Sequence, residues 1–98
     1  MVLTDKAKVD FHQWMDREKR DLRKSYLDDT CYNALKIEWL DSVGIISAVE
    51  PFYYDGWLFE ALVYDSSGNK QVTEDLYGTR REAVKAAIQK ATEIYNKQ

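Results

Sequence analysis

The stretch Tyr54-Asp55-Gly56-Trp57 lies near the middle of the 98-residue chain, between two runs rich in aromatic and β-branched residues. Asp-Gly supplies the two positive-φ residues that a two-residue type I′ hairpin turn needs between extended flanks. We therefore predict a hairpin whose first strand runs from about Ala48 to Tyr54. A proline at position 51 has no amide hydrogen to donate, so this strand is expected at a sheet edge or at a bulge.

The residues after this turn predict a second strand in the centre of the sheet. Its side chains are largely apolar on both faces, with Trp57, Phe59, Ala61 and Val63 on one and Leu58, Glu60, Leu62 and Tyr64 on the other. Asp65 to Asn69 then forms a five-residue loop of turn-forming residues. Lys70 to Tyr77 alternates only weakly, which indicates a third strand at an edge with one solvated face.

A helix is predicted at the end of the chain. Gly78 ends the third strand, and Thr79-Arg80-Arg81-Glu82 has the pattern of a capping box. In such a box the Thr79 hydroxyl accepts the Glu82 amide hydrogen, and the Glu82 carboxylate accepts the Thr79 amide hydrogen. An apolar stripe follows at steps of three and four residues, made of Val84, Ala87, Ile88, Ala91, Ile94 and Tyr95.

Two helices are predicted before the sheet. The first begins at Thr4 and Asp5 and is expected to run to about Tyr26. Its apolar residues at roughly helical spacing are Ala7, Phe11, Trp14, Met15, Leu22 and Tyr26. The second helix begins at a capping residue among Asp28, Asp29 and Thr30, and it ends before Gly44. Its inner side is expected to carry Tyr32, Leu35, Trp39, Leu40 and Val43.

The amino-acid composition indicates a folded, globular protein. Hydrophobic residues make up 45% of the chain and charged residues 32%, which are globular values. Residues 1–98 are therefore expected to form a single domain, as a monomer or as a homodimer that shares a core. No apolar run approaches the ~20 residues of a membrane span, so we expect a cytoplasmic protein without a membrane partner.

The residues that carry most catalytic and metal chemistry are sparse. Cys31 is the only cysteine and His12 the only histidine, so an intramolecular disulfide and a zinc set are excluded. A Cys–His nucleophilic pair also needs an orienting group and an oxyanion site, and neither can be identified. We expect a buried Cys31, a His12 on a helix surface, no cofactor and no enzymatic activity.

Aromatic residues are concentrated in the predicted sheet. Such side chains either fill a core and pair across strands, or lie exposed and anchor a partner protein. Base stacking is a weaker alternative, because it needs cations nearby and residues 28–78 hold ten acidic and two basic residues. The candidates for protein binding are Tyr53, Tyr54, Trp57 and Tyr64.

Three cations gather at the start of the last helix. Arg80, Arg81 and Lys85 lie where the free amide groups and the helix dipole add positive potential, so a phosphate group is a candidate ligand. The alternative is that they are ordinary surface cations on a solvated helix face.

From the second helix onward, the predicted order resembles the double-stranded RNA-binding domain. That family's last helix opens with a hydroxyl residue, two basic residues and further alanines, as Thr79, Arg80, Arg81, Ala83 and Ala87 do here. Val84 departs from the family at its third basic position, and the Asp-Gly turn replaces the family's minor-groove loop. The resemblance implies that the chain shares the family's topology. It implies duplex RNA binding less strongly, because that activity needs three separate contact regions.

The whole chain also resembles small uncharacterised proteins of bacterial phage and prophage origin. The shared segments are Leu3 to Lys8, Asp41 to Ile45, Thr79 to Ile88 and Glu93 to Asn96. This resemblance implies an accessory protein of a mobile element, and it brings no known activity.

These patterns together predict an α+β fold of order α-α-β-β-β-α. We expect a three-stranded antiparallel meander, with the last helix packed on the sheet and the first two helices beside it. The function expected is non-enzymatic binding of an unidentified protein partner. Binding of nucleic acid, specifically duplex RNA, at the start of the last helix is the alternative.

Overall fold

The computed structural model describes residues 4–19 and 28–98, without the side chain of Glu74. Two helices precede three strands, and one helix follows them, so the predicted order is confirmed. The elements are α1 (Asp5–Glu18), α2 (Asp29–Ser42), β1 (Ile46–Tyr53), β2 (Trp57–Tyr64), β3 (Lys70–Tyr77) and α3 (Arg80–Asn96). The architecture is α+β, with α3 packed against all three strands, α2 against β1 and α3, and α1 against α2 and α3.

The sheet is an antiparallel meander with β2 in its centre. Strand β1 pairs with β2 from Ile46 opposite Tyr64 to Tyr53 opposite Trp57. Strand β3 contains a bulge opposite Ala61, where the Thr73 hydroxyl donates a hydrogen bond of 3.2 Å to the Ala61 carbonyl. The predictions of a central second strand and an edge third strand are thus confirmed, and the proline at position 51 lies in an edge strand as expected.

The first hairpin turn differs from the prediction by one residue. Tyr53 pairs with Trp57, so the connection holds three residues, Tyr54 to Gly56, and the predicted two-residue turn is wrong. The φ angles of Asp55 and Gly56 are positive, at 53° and 127°, as the Asp-Gly pattern requires. The Tyr54 amide, however, donates to the Gly56 carbonyl at 2.9 Å, which removes Tyr54 from the strand ladder.

The second hairpin has the predicted five-residue loop. One oxygen of the Asp65 carboxylate accepts the amide hydrogens of Ser67 and Asn69, each at 2.9 Å. This Asx-type bonding satisfies backbone donors that the loop would otherwise expose, and it holds the ends of β2 and β3 together.

Helix α2 has clear signals at both ends. The Asp28 side chain accepts the Cys31 amide hydrogen at 2.8 Å and forms the N-cap. At the other end, the Gly44 amide donates to the Asp41 carbonyl and the Ile45 amide donates to the Leu40 carbonyl, each at 3.0 Å. This is a Schellman motif, and the φ of +84° at Gly44 is the left-handed conformation that the motif needs.

Helix α1 ends before the predicted position, and α3 begins at the predicted Thr79 cap. Helix α1 ends at Glu18, and Lys19 has a non-helical φ of −126°. The rest of the predicted extension, with Leu22 and Tyr26, lies outside the described residues. Helix α3 begins after Thr79, whose hydroxyl accepts the Glu82 amide hydrogen at 3.1 Å. Only this half of the capping box forms in the described part of the chain.

The core lies between one face of the sheet and the helices. Each predicted apolar residue of α1 within the described range is buried, and so is most of the α3 stripe, together with Ala83 and Thr92. The core residues are Ala7, Phe11, Trp14, Met15, Trp39, Leu40, Ile45, Ala61, Val63, Ala83, Ala87, Ile88, Ala91 and Tyr95. Alanines on α3 leave room for the helix axis to approach the sheet closely.

Two polar residues take buried places in α2 that the apolar pattern did not predict. Asn33 and Lys36 are buried, whereas Tyr32, Leu35 and Val43 are only partly buried against the core. Burial lowers the pKa of the Lys36 ammonium, and the charge of Asp29 acts in the opposite direction. None of the described helices combines the length and apolar character needed to cross a bilayer.

Four aromatic side chains join the three helices. The Phe11 ring lies 6.1 Å from that of Trp14 and 5.8 Å from that of Trp39, measured between centroids. The ring of Tyr95 lies edge-on to that of Trp39 at 4.8 Å. Perpendicular packing of this kind is favoured by the ring quadrupoles, and it fixes α1 and α2 against the end of α3.

Polar groups at the end of α3 hold the start of α1. The Asn96 side chain accepts the Ala7 amide hydrogen at 2.8 Å and donates to the Thr4 carbonyl at 3.1 Å. Thr4 itself makes no side-chain cap, so Asn96 satisfies a free amide of α1 from 89 residues away. The Tyr95 hydroxyl donates to the Asp10 carboxylate beside it.

The Tyr95 hydroxyl gives a prediction about stability at alkaline pH. Burial raises the pKa of Tyr95 to about 12, and the hydrogen bond to Asp10 adds to the effect. An unfolded tyrosine ionises near pH 10, so the unfolded state loses its proton first, and this contribution to stability is lost as pH rises from about 10 to about 12. Tyr95→Phe should cost about 1 kcal/mol at pH 8, with a shallower loss of stability above pH 10.

Urea unfolding of both proteins at pH 8 and pH 11, followed by tryptophan fluorescence, measures this difference. Tyr54→Phe is the matched control, because Tyr54 is 76% exposed. Equal alkaline losses in the wild-type protein and in Tyr95→Phe would contradict the assignment.

Candidate functional site

The β1–β2 hairpin ends in three exposed aromatic side chains, which we name the aromatic tip: Tyr53, Tyr54 and Trp57. Their exposed fractions are 66%, 76% and 63%, although aromatic side chains of this size are mostly buried in folded proteins. The rings of Tyr53 and Trp57 pack perpendicular to each other across the strands, with centroids 5.1 Å apart. The tip is therefore an ordered cluster held by the hairpin.

The tip is exposed because the described helices stop short of it. Tyr53 and Trp57 lie on the same sheet face as the core residues Ala61 and Val63, since side chains alternate along a strand. The guanidinium of Arg80, at the start of α3, lies 5.1 Å from the ring centroid of Phe59, one row nearer to the core. The last cross-strand pair of the hairpin, Tyr53 and Trp57, thus lies beyond the end of the helix layer.

Tyr64, the fourth predicted binding residue, lies apart from the tip. It is at the opposite end of β2, where it pairs with Ile46 and Lys70 and is partly buried. Seven residues separate it from Trp57, or roughly 23 Å along an extended strand. The structure therefore brings together three of the four aromatic candidates.

The three predicted phosphate-binding cations border two different grooves. Arg80 and Arg81 border a groove of about 450 Å³ between the first halves of α2 and α3. Lys85 borders a different groove, which also contains the Glu82 and Glu93 side chains. The pKa of Asp28 is lowered, chiefly by the Cys31 amide, and the charge of Arg81 contributes to this shift.

The prediction that Cys31 is buried is wrong. Because Asp28 is the N-cap of α2, Cys31 falls in the first turn of the helix, where it is exposed to solvent. The hydrogen bond to the Asp28 carboxylate, and then its charge, raise the pKa of the Cys31 thiol, which leaves less thiolate at neutral pH. His12 is exposed on α1, as predicted, with its ring 5.6 Å from that of Phe11.

The described residues also show no cluster of three or more His, Cys, Asp or Glu side chains that could hold a metal ion.

A second exposed surface was missed by the sequence pattern. We name it the outer face: the sheet face that points away from the helices. Its apolar residues include Ile46, Phe52, Val72 and Leu76, all between 43% and 49% exposed. The apolar alternation on both faces of β2 indicated this surface, but the pattern does not say which face the helices cover.

No protein-family model matches the chain, and neither a curated protein nor a solved structure matches it. The resemblances to phage-type proteins and to the double-stranded RNA-binding domain stay predictions. The function proposed for the chain therefore rests on the geometry of its described residues.

The contact between Asp28 and Cys31 gives a prediction about thiol reactivity. Asp28→Asn retains an N-cap residue and removes the negative charge, so the pKa of Cys31 should fall and alkylation by iodoacetamide at pH 7.5 should become faster. The rate measured as a function of pH gives the thiol pKa in each protein. Asp29→Asn is the control, and an unchanged pKa in Asp28→Asn would contradict the contact.

Proposed function

We propose that the protein is a non-enzymatic binding protein that holds a protein partner at the aromatic tip. The observation that carries the proposal is the exposure of Tyr53, Tyr54 and Trp57 together at the end of one hairpin. Tyrosine and tryptophan are the side chains most enriched where binding energy is concentrated in protein interfaces.

The physical properties of the tip suit this role. An exposed ring loses little conformational entropy on binding, because it has only two rotatable side-chain bonds, and it offers a large apolar area with a polar edge. The contact between Tyr53 and Trp57 orders two of the rings before any partner arrives, which lowers the cost of association.

The charges near the tip favour a protein over a nucleic acid as the partner. Asp55 lies within the turn, and Glu50 and Glu60 lie on the same hairpin. The guanidinium of Arg80, at the start of α3, is placed over the Phe59 ring. Stacking of bases on exposed rings needs cations that neutralise the phosphates, and the hairpin itself carries none.

The resemblance to phage and prophage proteins suggests the biological context of the proposed binding. We place the protein among accessory proteins of a mobile element, acting in the cytoplasm on a host or phage protein. An accessory role fits a small chain whose described surface offers recognition groups and whose sequence lacks an identifiable catalytic set.

Alanine substitution of the tip tests the proposal. The variant with Tyr53→Ala, Tyr54→Ala and Trp57→Ala should keep the urea midpoint of the wild-type protein, since the rings are exposed, but lose capture of the partner from lysate of the source cells. With the captured protein purified, its Kd should rise by about 30-fold or more, which corresponds to about 2 kcal/mol.

Val9→Ala is the matched control, because Val9 is also a large exposed apolar residue, at 55%, but lies on α1. It should bind the partner as the wild-type protein does. Undiminished capture by the triple variant would rule out the tip as the binding site.

Duplex RNA binding, the alternative, has its own test. Labelled duplex RNA is titrated with the wild-type protein at about 50 mM and about 200 mM salt, a range over which phosphate contacts lose orders of magnitude in affinity. We expect no saturable binding. Binding that is salt-sensitive and lost in the double variant Arg80→Glu, Arg81→Glu would favour the RNA alternative instead.

A further inference from the structure

The outer face has a regular layout that follows from the strand register. Residues that pair across an antiparallel sheet point to the same side, so the outer face consists of four rows. From one end of the sheet to the other, the rows are Ile46 with Tyr64 and Lys70, Ala48 with Leu62 and Val72, Glu50 with Glu60 and Leu76, and Phe52 with Leu58.

The outer face is apolar and separate from the core. None of its described residues belongs to the buried cluster between the sheet and the helices or packs against that cluster. Leu62, at its centre, is nevertheless only 1% exposed. Ile46, Phe52, Val72 and Leu76, on the same face, keep 43% to 49% of their surface in contact with solvent. Globular proteins seldom expose an apolar surface of this kind unless it binds something, so it indicates an interaction site.

Two carboxylates interrupt this apolar surface at one point. Glu50 and Glu60 are directly opposite each other on β1 and β2, so their Cβ atoms lie about 5 Å apart, and like charges in this position repel. The salt bridges between described residues join Arg17 to Glu18 and Lys19 to Glu38, and none reaches this pair. Lys70, the described cation on the outer face, lies two rows away on β3.

We propose that the outer face binds a partner helix that carries an arginine or lysine in the middle of an apolar stripe. The apolar rows on either side receive the stripe, and the cation lies between Glu50 and Glu60, where it relieves their repulsion. A guanidinium can bond both carboxylates at once. This goes beyond the proposed function, because none of the tip residues takes part.

The dimensions of the face favour a helix. Three strands at about 4.8 Å spacing give a surface about 10 Å wide, which is close to the diameter of one helix with its side chains. Four rows along the strands span roughly 20 Å, or about four helical turns. One amphipathic helix thus covers the face without leaving an apolar row exposed.

A second copy of this chain fits the face poorly. Stacked about a two-fold axis parallel to β2, the two faces place Glu60 against Glu60 of the copy. Stacked about an axis across the strands through Leu62, they place Glu50 and Glu60 against the row of Ile46, Tyr64 and Lys70. The first arrangement buries carboxylates without a cation, and the second supplies one lysine for two carboxylates, so both are costly.

Two synthetic peptides test the proposal. Each is an amphipathic helix of about 18 residues with a leucine stripe, and they differ only in having arginine or glutamate at the centre of the stripe. We expect the arginine peptide to bind at least about tenfold more tightly in fluorescence anisotropy. In ¹H–¹⁵N NMR spectra it should shift the amides of β1, β2 and β3 around Glu50 and Glu60, and not those of α3.

A charge-reversal substitution on the outer face tests whether the two carboxylates bind the cation. Glu60→Lys should weaken binding of the arginine peptide about tenfold and strengthen binding of the glutamate peptide. Its urea midpoint should not fall, because a lysine here pairs with Glu50 across the strands. Glu93→Lys makes the same change in net charge on α3 and should leave both affinities unchanged. The triple alanine variant of the tip should also bind the arginine peptide normally, which separates this test from that of the proposed function.

Three results would overturn the proposal. The first is equal binding of the two peptides, and the second is binding of the arginine peptide that survives Glu60→Lys. The third is a dimer in sedimentation equilibrium that Leu76→Lys dissociates, since it would assign the outer face to a second copy.

Discussion

Strand β2 is apolar on both faces, and the described helices cover only one of them. Ala61 and Val63 face the core, whereas Leu58 and Leu62 point to the outer face. The helices all gather on the side of Ala61, because α3 packs along the sheet there and α1 and α2 pack in turn on α3. The exposed apolar surface on the other side is therefore a consequence of how the core is built.

Helix α3 is the element on which this arrangement depends. Its alanines approach the sheet, while its last turn carries Tyr95 and Asn96, which bind α1 through Asp10, Thr4 and Ala7. A helix that is occupied on one side by strands and at its end by another helix has little freedom to shift. The end of the β1–β2 hairpin extends past Arg80, outside this rigid part, and carries the aromatic tip.

The tip and the outer face offer different chemistry to a partner. The tip presents large rings with polar edges at the end of a projecting hairpin, which suits insertion into a pocket of another protein. The outer face presents a flat apolar surface with a pair of carboxylates, which suits a helix that brings a cation. Phe52 lies where the two surfaces meet, so a single partner of sufficient size would contact both.

The sequence by itself determined the order of the elements and the positions of the sharpest signals. The turn and helix-end signals act through neighbouring residues, so they can be recognised without knowing the fold. They are Asp-Gly, the Asp28 cap, Gly44 and Thr79. The Asp-Gly turn also predicts that Tyr53, Tyr54 and Trp57 lie together at the end of a hairpin. What the fold adds is long-range. The burial of Asn33 and Lys36, the exposure of Cys31 and the capping of α1 by Asn96 all depend on which elements pack together.

The register of the first hairpin shows the difference most clearly. A two-residue turn would pair Tyr54 with Trp57 and set Glu50 opposite Ala61, whereas the three-residue turn sets Glu50 opposite Glu60. Side chains alternate between faces with a period of two, so a change of one residue in the turn replaces every cross-strand partner. The sequence determined that a hairpin forms here, and only the tertiary structure decided that two carboxylates face each other on the sheet face that the described helices leave open.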